Sequence, residues 1–369
     1  MEGSFGTSAR IAIYGVGLMG GSLALCFKGK PGLTVVGHSS DPAEVIKYLE
    51  RRVVDEATTD FEAAAEGADF IFLCVPVGVL GDYLTRLSAL PLKPGCIISD
   101  VGSTKASIVA TAARLPLGSA CFIGGHPMTG SERSGVEAAS AILYENAFYI
   151  LTPLPGTPEH SYSRLVGLLQ ETKAQVVRMD AEQHDSIIGA ISHLPHVIAV
   201  ALVNQIAGYN EEDSFYQRLA AGGFRDFTRI AYSDPVVWRD ILVNNRDVVL
   251  KLIADWNREL TDMARLLETA DGEGIERKFE SARTFRAKLP ERRKGFQAIM
   301  HDVYVDVPDH PGVIGSITGL LGSHGVNLSN IEIMESRADV PGVLRLSFRE
   351  ASHYERAKEL LAEEYAVHA

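Results

Sequence analysis

Cysteine is scarce in this chain: Cys26, Cys74, Cys96 and Cys121 are the four among 369 residues, all in the first third and none at a metal-ligand spacing from another. That excludes a zinc-bound or disulfide-stapled scaffold. Three of them lie inside apolar runs and read as reduced core side chains. No apolar run approaches the roughly 18 residues of a membrane span. The first ten residues lack the basic and then apolar order of a secretory signal, so the expectation is a cytoplasmic protein with no membrane partner. Positive charge is in deficit too, with 35 Lys plus Arg against 47 Asp plus Glu and a formal net charge of −12. Such a surface repels phosphate backbones, which argues against nucleic acid as a partner. Repeats and low-complexity tracts are lacking. The chain is 46% hydrophobic and 22% charged, enough to bury large cores in two or three domains.

Residues 11–14, 33–37, 70–75, 96–99, 120–123 and 148–152 are short runs rich in Val and Ile, separated by Ala- and Leu-rich stretches of helical length. This rhythm predicts the α/β class, with a Rossmann-like doubly wound sheet over residues 8–180. From 181 to 298 strand-like runs vanish. Apolar positions recur at helical spacing within 187–206, 238–265 and 274–287, which predicts an all-helical domain. Residues 276–294 carry Arg277, Lys278, Arg283, Arg286, Lys288, Arg292, Arg293 and Lys294 among acids, with Pro290 interrupting. They read as a solvated helix end running into a linker. Residues 299–369 then suggest a strand at 302–307, a helix at 311–324, strands at 326–335 and 343–348, and a helix at 351–364. That is the order of a small ferredoxin-like domain.

The first strand runs directly into Gly15-Val16-Gly17-Leu18-Met19-Gly20, followed by a helix-compatible stretch. A lone Gly-x-Gly-x-x-Gly is weak evidence, but a strand before it and a helix after it make it a dinucleotide-binding turn. Its glycines allow a tight turn and close backbone approach, and free N–H groups at the helix start receive phosphates. The acid that usually ends the second strand and binds the ribose of NAD is missing, because the chain reads His38-Ser39-Ser40-Asp41. Ser39 and Ser40 are the hydrogen-bonding candidates there. No arginine stands immediately there for a 2′-phosphate either, so these residues leave the choice between NAD and NADP open; NAD is the expected cofactor, with NADP not excluded. Val75 and Pro76, at the end of a buried strand, are expected to flank the same cofactor.

Four more segments carry candidate chemistry: Ser99 to Lys105, Gly124 to Glu132, Ser192 to His196, and Gly222 to Ala231. With the glycine run and the spacings between them, they resemble the prephenate dehydrogenases over about residues 8–298. The tail, through Pro308, Asp309, His310, Pro311, Gly312 and then Gly325, Val326, Asn327 and Leu328, resembles an ACT domain, a small amino-acid-binding regulatory module. The resemblance implies an oxidoreductase that oxidatively decarboxylates prephenate to 4-hydroxyphenylpyruvate, with hydride transfer to NAD. It also implies a homodimer intertwined through the helical domain, and feedback by L-tyrosine. Arogenate is the rival substrate, and a non-catalytic amino-acid sensor on the same scaffold is the rival of another class.

Taken by residue type alone, His126 is as readily a structural loop residue as a base able to accept a hydroxyl proton at neutral pH. The resemblance gives it the second role, with Ser103 orienting it. Arg229 matches the family's carboxylate-binding arginine, and a guanidinium offers the planar fork that this task needs. Arg225 competes for the role, or pairs internally with Asp226 or Asp240. His193 and His196, three apart, share a helical face, with Pro195 predicting a kink or a helix start between them. By resemblance both line the substrate pocket. No third ligand has convincing spacing, so no metal is expected. His184 reads as a partner in a surface hydrogen bond. In the tail, Asp309, Pro311 and Gly312 fall between a strand and a helix, with Pro in the first helical turn and free N–H groups that could receive an effector carboxylate. Asn327, opening the next strand, completes that expected effector site.

Overall fold

A computed structural model of the chain describes residues 8–131, 133–289, 301–308, 310–334, 342–348 and 350–368. It divides into two units, Met1–Lys288 and Leu289–Ala369. The first begins with β1 (Ala9–Tyr14), α1 (Leu18–Phe27), β2 (Leu33–His38), α2 (Pro42–Glu50), β3 (Glu56–Thr58), α3 (Phe61–Ala65), β4 (Phe70–Leu73), α4 (Val77–Ser88), β5 (Ile97–Asp100) and α5 (Ala106–Ala112). It continues with β6 (Cys121–Pro127), β7 (Phe148–Pro153), α6 (Glu159–Leu169) and β8 (Gln175–Arg178). The strands form one sheet in the order β3-β2-β1-β4-β5-β6-β7-β8, parallel at each pairing except the antiparallel β6 and β7.

Alternation along the central strands explains the layering. Ile11 and Ile13 join one apolar cluster with Leu23 and Phe27 of α1 and Leu165 and Leu168 of α6. Ala12 and Tyr14 join another with Leu80, Leu84 and Leu87 of α4 and Ile108 of α5. Successive side chains point to opposite faces, so helices on both faces demand apolar residues at every position, and β1, β4 and β5 read as continuous runs for that reason. Each fully buried Leu, Ile or Phe contributes roughly 1.5–3 kcal/mol. Sequence periodicity does not reveal β3 and β8, which are short edge strands whose residues are half-buried or exposed. The four cysteines are free thiols.

Beyond β8 the unit is helical: α7 (Ala181–Ile188), α8 (Leu194–Glu212), α9 (Phe215–Arg218), α10 (Gly222–Thr228), α11 (Pro235–Asn244), α12 (Arg246–Glu268) and α13 (Gly272–Lys288). Pro195 falls in the first turn of α8, as expected of a helix start, and the chain stays helical through it. Lacking an N–H, it cannot bond the carbonyl one turn back, and the chain widens into a single π turn, Gly189–His193, where the Leu194 N–H reaches the Gly189 carbonyl. The 238–265 stretch is divided at buried Asn245, which joins neither helix. The helical run Ala181–Glu212 is long and apolar enough to cross a membrane by length and composition only, a test that the core helix of a soluble protein also passes. Only Ala199 of α8 is buried, and Leu219, Tyr232, Leu250 and Phe279 are likewise exposed. This apolar surface is unpaired in the single chain. The basic side chains of α13 are solvated, as in the pairs Arg283–Glu280 and Lys278–Glu259; Pro290, Arg292, Arg293 and Lys294 lie outside the described residues.

The second unit contains β9 (His301–Val307), α14 (Val313–Ser323), β10 (Asn330–Met334), β11 (Gly342–Phe348), α15 (Ala351–Leu361) and β12 (Ala366–His368), with sheet order β10-β11-β9-β12. Val303, Val305, Leu344 and Leu346 pack against Ile317, Leu321, Ala357 and Leu361, so both helices cover one face. Two expectations change. The helix begins at Val313 after Gly312, whose φ of +97° is left-handed, so Pro311 precedes the helix and lies outside its first turn. Asn327 sits in the loop before β10 and does not open that strand.

Candidate active site

The glycine run forms a cradle whose three positions differ in kind. Gly15 turns the chain with φ +87°, and a Cβ there would lie 2.7 Å from the Cys74 carbonyl oxygen. At Gly20 a Cβ would come within 2.1 Å of the Gly15 oxygen, so α1 closes tightly on the turn. At Gly17 a Cβ would meet nothing within 4 Å. The first intrahelical bond runs from the Gly21 N–H to the Gly17 carbonyl, which leaves the N–H groups of Leu18, Met19 and Gly20 directed at that open space. β1 and β4 are neighbours at the point where strand order reverses, where open α/β sheets bind nucleotides. These residues fit a dinucleotide.

Gly17→Ala therefore weakens NAD binding while leaving the thermal midpoint of the free protein near wild type, whereas Gly20→Ala lowers both. Calorimetric titration and thermal melts of the two variants make the check. Val75 flanks the turn, its Cγ1 3.1 Å from a Cβ at Gly15, and exposed Pro76 caps α4. Ser39 and Ser40 follow β2. The Ser39 hydroxyl accepts from the Asp41 N–H at 3.1 Å, and the Asp41 carboxylate accepts from the Ala43 N–H at 2.8 Å. Asp41 is thus the N-cap of α2, occupied by helix capping.

Cys74, Val101 and His126 stand at the same C-terminal edge of the sheet, because β1, β4, β5 and β6 run parallel. His126 is the penultimate residue of β6, inside the strand, and only 8% exposed. Buried Asp100 organises its surroundings by accepting from the Gly125 N–H at 3.0 Å and the Gly102 N–H at 2.8 Å, and by pairing with fully buried Lys105. Burial pulls the Lys105 ammonium down, against the pull of Asp100. Ser103 lies half-buried in the loop this pair holds, and its hydroxyl has no hydrogen-bond partner among the described residues. Burial first, and then the charges of His184, Lys105 and His193, push His126 well below the ordinary histidine value.

His184 corrects the surface reading. It is fully buried, its Nε2 lies 2.8 Å from His126 Nδ1, and its Nδ1 lies 2.7 Å from Asp185 Oδ1. His193 is buried with Nδ1 3.1 Å from Asn245 Nδ2, its Nε2 has no partner among the described residues, and burial pushes it down to about 4. His196 stacks on Trp238 with centroids 3.6 Å apart and anchors Nδ1 on the Ser192 carbonyl. Burial lowers it, with Arg229 adding to the effect. Arg229 and Arg225 are exposed, and neither makes an ion pair among the described residues; Asp240 pairs with Arg239 at 2.7 Å instead. No group of three or more His, Cys, Asp and Glu side chains among the described residues could hold a metal ion. Sequence spacing does not point to Trp238, Asn245 or Asp185; the scarcity of tryptophan was the only signal available. In the second unit Pro311 is exposed before the Gly312 turn and Asn327 is exposed in the loop before β10, and Asp309 lies outside the described residues.

Comparison with known proteins gives three family matches: the prephenate dehydrogenase nucleotide-binding domain over residues 23–178, the prephenate dehydrogenase dimerization domain over 180–281, and the ACT domain over 301–363. The first begins after the glycine cradle, which rests on its own geometry. The chain is 40% identical over 352 residues to the prephenate dehydrogenase of Bacillus subtilis (strain 168), covering 95% of each. A solved prephenate dehydrogenase from A. aeolicus, in complex with hydroxyphenyl propionate and NAD+, is similar at 33% identity and a TM-score of 0.70, over 77% of this chain and 99% of that one. A Synechocystis arogenate dehydrogenase is similar at 30% identity and a TM-score of 0.68, over 76% of this chain and all of that one.

Proposed function

The chain belongs to the prephenate dehydrogenase family, and from that premise we propose that it oxidatively decarboxylates prephenate to 4-hydroxyphenylpyruvate on the residues gathered around His126. Bound NAD supplies the hydride acceptor. His126 takes the substrate hydroxyl proton at Nε2 as that carbon becomes carbonyl-like, and its burial favours the neutral imidazole this requires. Ser103, on the loop held by Asp100 and Lys105, orients the hydroxyl. Arg229 engages a carboxylate through its fork, beside His196 on its Trp238 platform, with Arg225 as the alternative cation. His193 lines the same space. The observation that carries this reading is a buried histidine at the sheet edge where the glycine cradle opens.

The test is turnover: reduced nicotinamide formed from each pairing of prephenate or arogenate with NAD or NADP. Prephenate with NAD is the expected pair, because the 40% identical relative covering 95% of both chains is a prephenate dehydrogenase, and a similar solved prephenate dehydrogenase is in complex with NAD+. Silence in all four, from folded protein that binds nucleotide, would favour an amino-acid sensor. L-Tyrosine is the proposed effector of the ACT unit, with Pro311, Gly312 and Asn327 as its proposed contacts. Added tyrosine is expected to depress turnover; unaltered rates, together with no binding in equilibrium dialysis, reject that role.

The same proposal makes the protein a homodimer of the cytoplasm. Its support is the exposed apolar surface of the helical part, within which Leu219 is 73% and Phe279 69% exposed, more than a lone soluble chain leaves uncovered. Light scattering is expected to give twice the 40.0 kDa of one chain; a 40 kDa particle at micromolar concentration rejects it.

A further inference from the structure

His126 is joined to two buried side chains that the proposed reaction does not touch, and the direction of each hydrogen bond between them can be worked out. Asp185 is 2% exposed, and both of its carboxylate oxygens accept from backbone donors: Oδ1 from the Lys105 N–H at 2.7 Å and Oδ2 from the Ala106 N–H at 2.9 Å. A backbone N–H only donates, so the carboxylate is held as an acceptor. The Asn245 amide fixes the same residue from behind, donating to the Asp185 carbonyl at 2.9 Å. His184 Nδ1, 2.7 Å from Asp185 Oδ1, must then be the N–H donor. In a neutral imidazole that leaves Nε2 as the lone pair, and Nε2 is the atom 2.8 Å from His126 Nδ1. His126 therefore carries its proton on Nδ1 and its lone pair on Nε2, the nitrogen with no hydrogen bond to any described residue.

We propose that His184, held by Asp185, is a positioning residue that fixes the tautomer and ring orientation of His126, so that Nε2 is the base. The hydrogen bond made by one ring nitrogen sets the state of the other, and a carboxylate behind a catalytic imidazole acts in the same way. Here a second imidazole carries the instruction across the gap between β6 and α7. The proposal rests on His126 being the base of the proposed reaction, but its geometry concerns the free protein alone.

The decisive measurement is the nitrogen-15 spectrum of the full-length, histidine-labelled protein without ligands, with the His126 signals assigned by comparison with His126→Asn. The expected result is an unprotonated Nε2 and a protonated Nδ1. A proton on Nε2, which would require His184 to donate from both nitrogens, overturns the proposal. His184→Phe removes the acceptor, and in folded enzyme it is expected to lower kcat about tenfold, the scale of one lost hydrogen bond, with KM for prephenate and NAD within about twofold. It is also expected to mix the His126 tautomers. His184→Gln, whose amide oxygen can accept from Nδ1, restores most of the rate and the wild-type tautomer. A wild-type kcat in His184→Phe overturns the proposal. The expected tautomer in protein that turns over no substrate would reject the reaction assigned to His126 and leave the tautomer assignment standing.

Discussion

Asparagine at position 126 is expected to lower kcat by roughly 10²–10⁴, the usual scale of a lost general base, while the affinity for NAD and the fold stay close to wild type. The fold survives because an Asn amide occupies about the place of imidazole Nδ1 and can still donate toward His184 Nε2, the contact made at 2.8 Å in the native chain. The rate does not survive, since nothing replaces Nε2. Steady-state kinetics beside a thermal melt separates the two effects, and a near wild-type kcat would remove His126 from its role. A pH profile adds a second reading. Burial, and after it the charges of His184, Lys105 and His193, lower His126 well below the ordinary histidine value, so the acid limb of kcat/KM should fall below about 6.5. The same depression links to stability. Between the lowered native value and about 6.5 the unfolded chain binds the extra proton, so the contribution from His126 is fully present above that pH and is lost as pH falls toward the native value.

What could be read from sequence divides along a physical line. Gly15, Gly17 and Gly20 were legible because the demands of a strand-to-helix turn are local: one left-handed φ, one open face and one close approach all fall within six residues. The central strands were legible because burial on both faces writes itself as an unbroken apolar run. The contact between His126 and His184 was not, since it joins residues 58 apart and nothing in Glu182-Gln183-His184-Asp185 distinguishes a buried pair from a surface one. Helix chemistry was misleading for a related reason. Pro195 normally signals a break, yet one π turn absorbs it. Asn245 carries no such signal, and at the junction of α11 and α12 its side chain meets the Asp185 carbonyl and His193. Asp41, the acid nearest the end of β2, is the cap of α2. At His184, Pro195 and Asn245 tertiary surroundings overrode a local rule, whereas the Asp41 cap is itself local, and most of these departures lie at the proposed site or beside it.

Alanine at position 229 is expected to raise KM for prephenate between roughly 30-fold and several thousand-fold, the equivalent of the roughly 2–5 kcal/mol that attaches to losing one member of a desolvated charge pair. The lower half of that range is favoured, because Arg229 is exposed in the single chain and loses water only once a substrate and the rest of the assembly lie over it. Since the carboxylate it would hold is present before and during reaction, the loss should fall on KM far more than on kcat. Arg229→Lys keeps the charge but not the planar fork, and should recover only part of the affinity. Arg225→Ala is the control: it is also exposed and without an ion-pair partner among the described residues, so electrostatics alone does not separate the two. Position does, because Arg229 is close enough to His196 to lower it whereas Arg225 is not among the causes of that shift, and His196 is the residue stacked on Trp238. A KM unchanged in Arg229→Ala but raised in Arg225→Ala would transfer the carboxylate to Arg225 and move the substrate's tail four residues toward the start of α10.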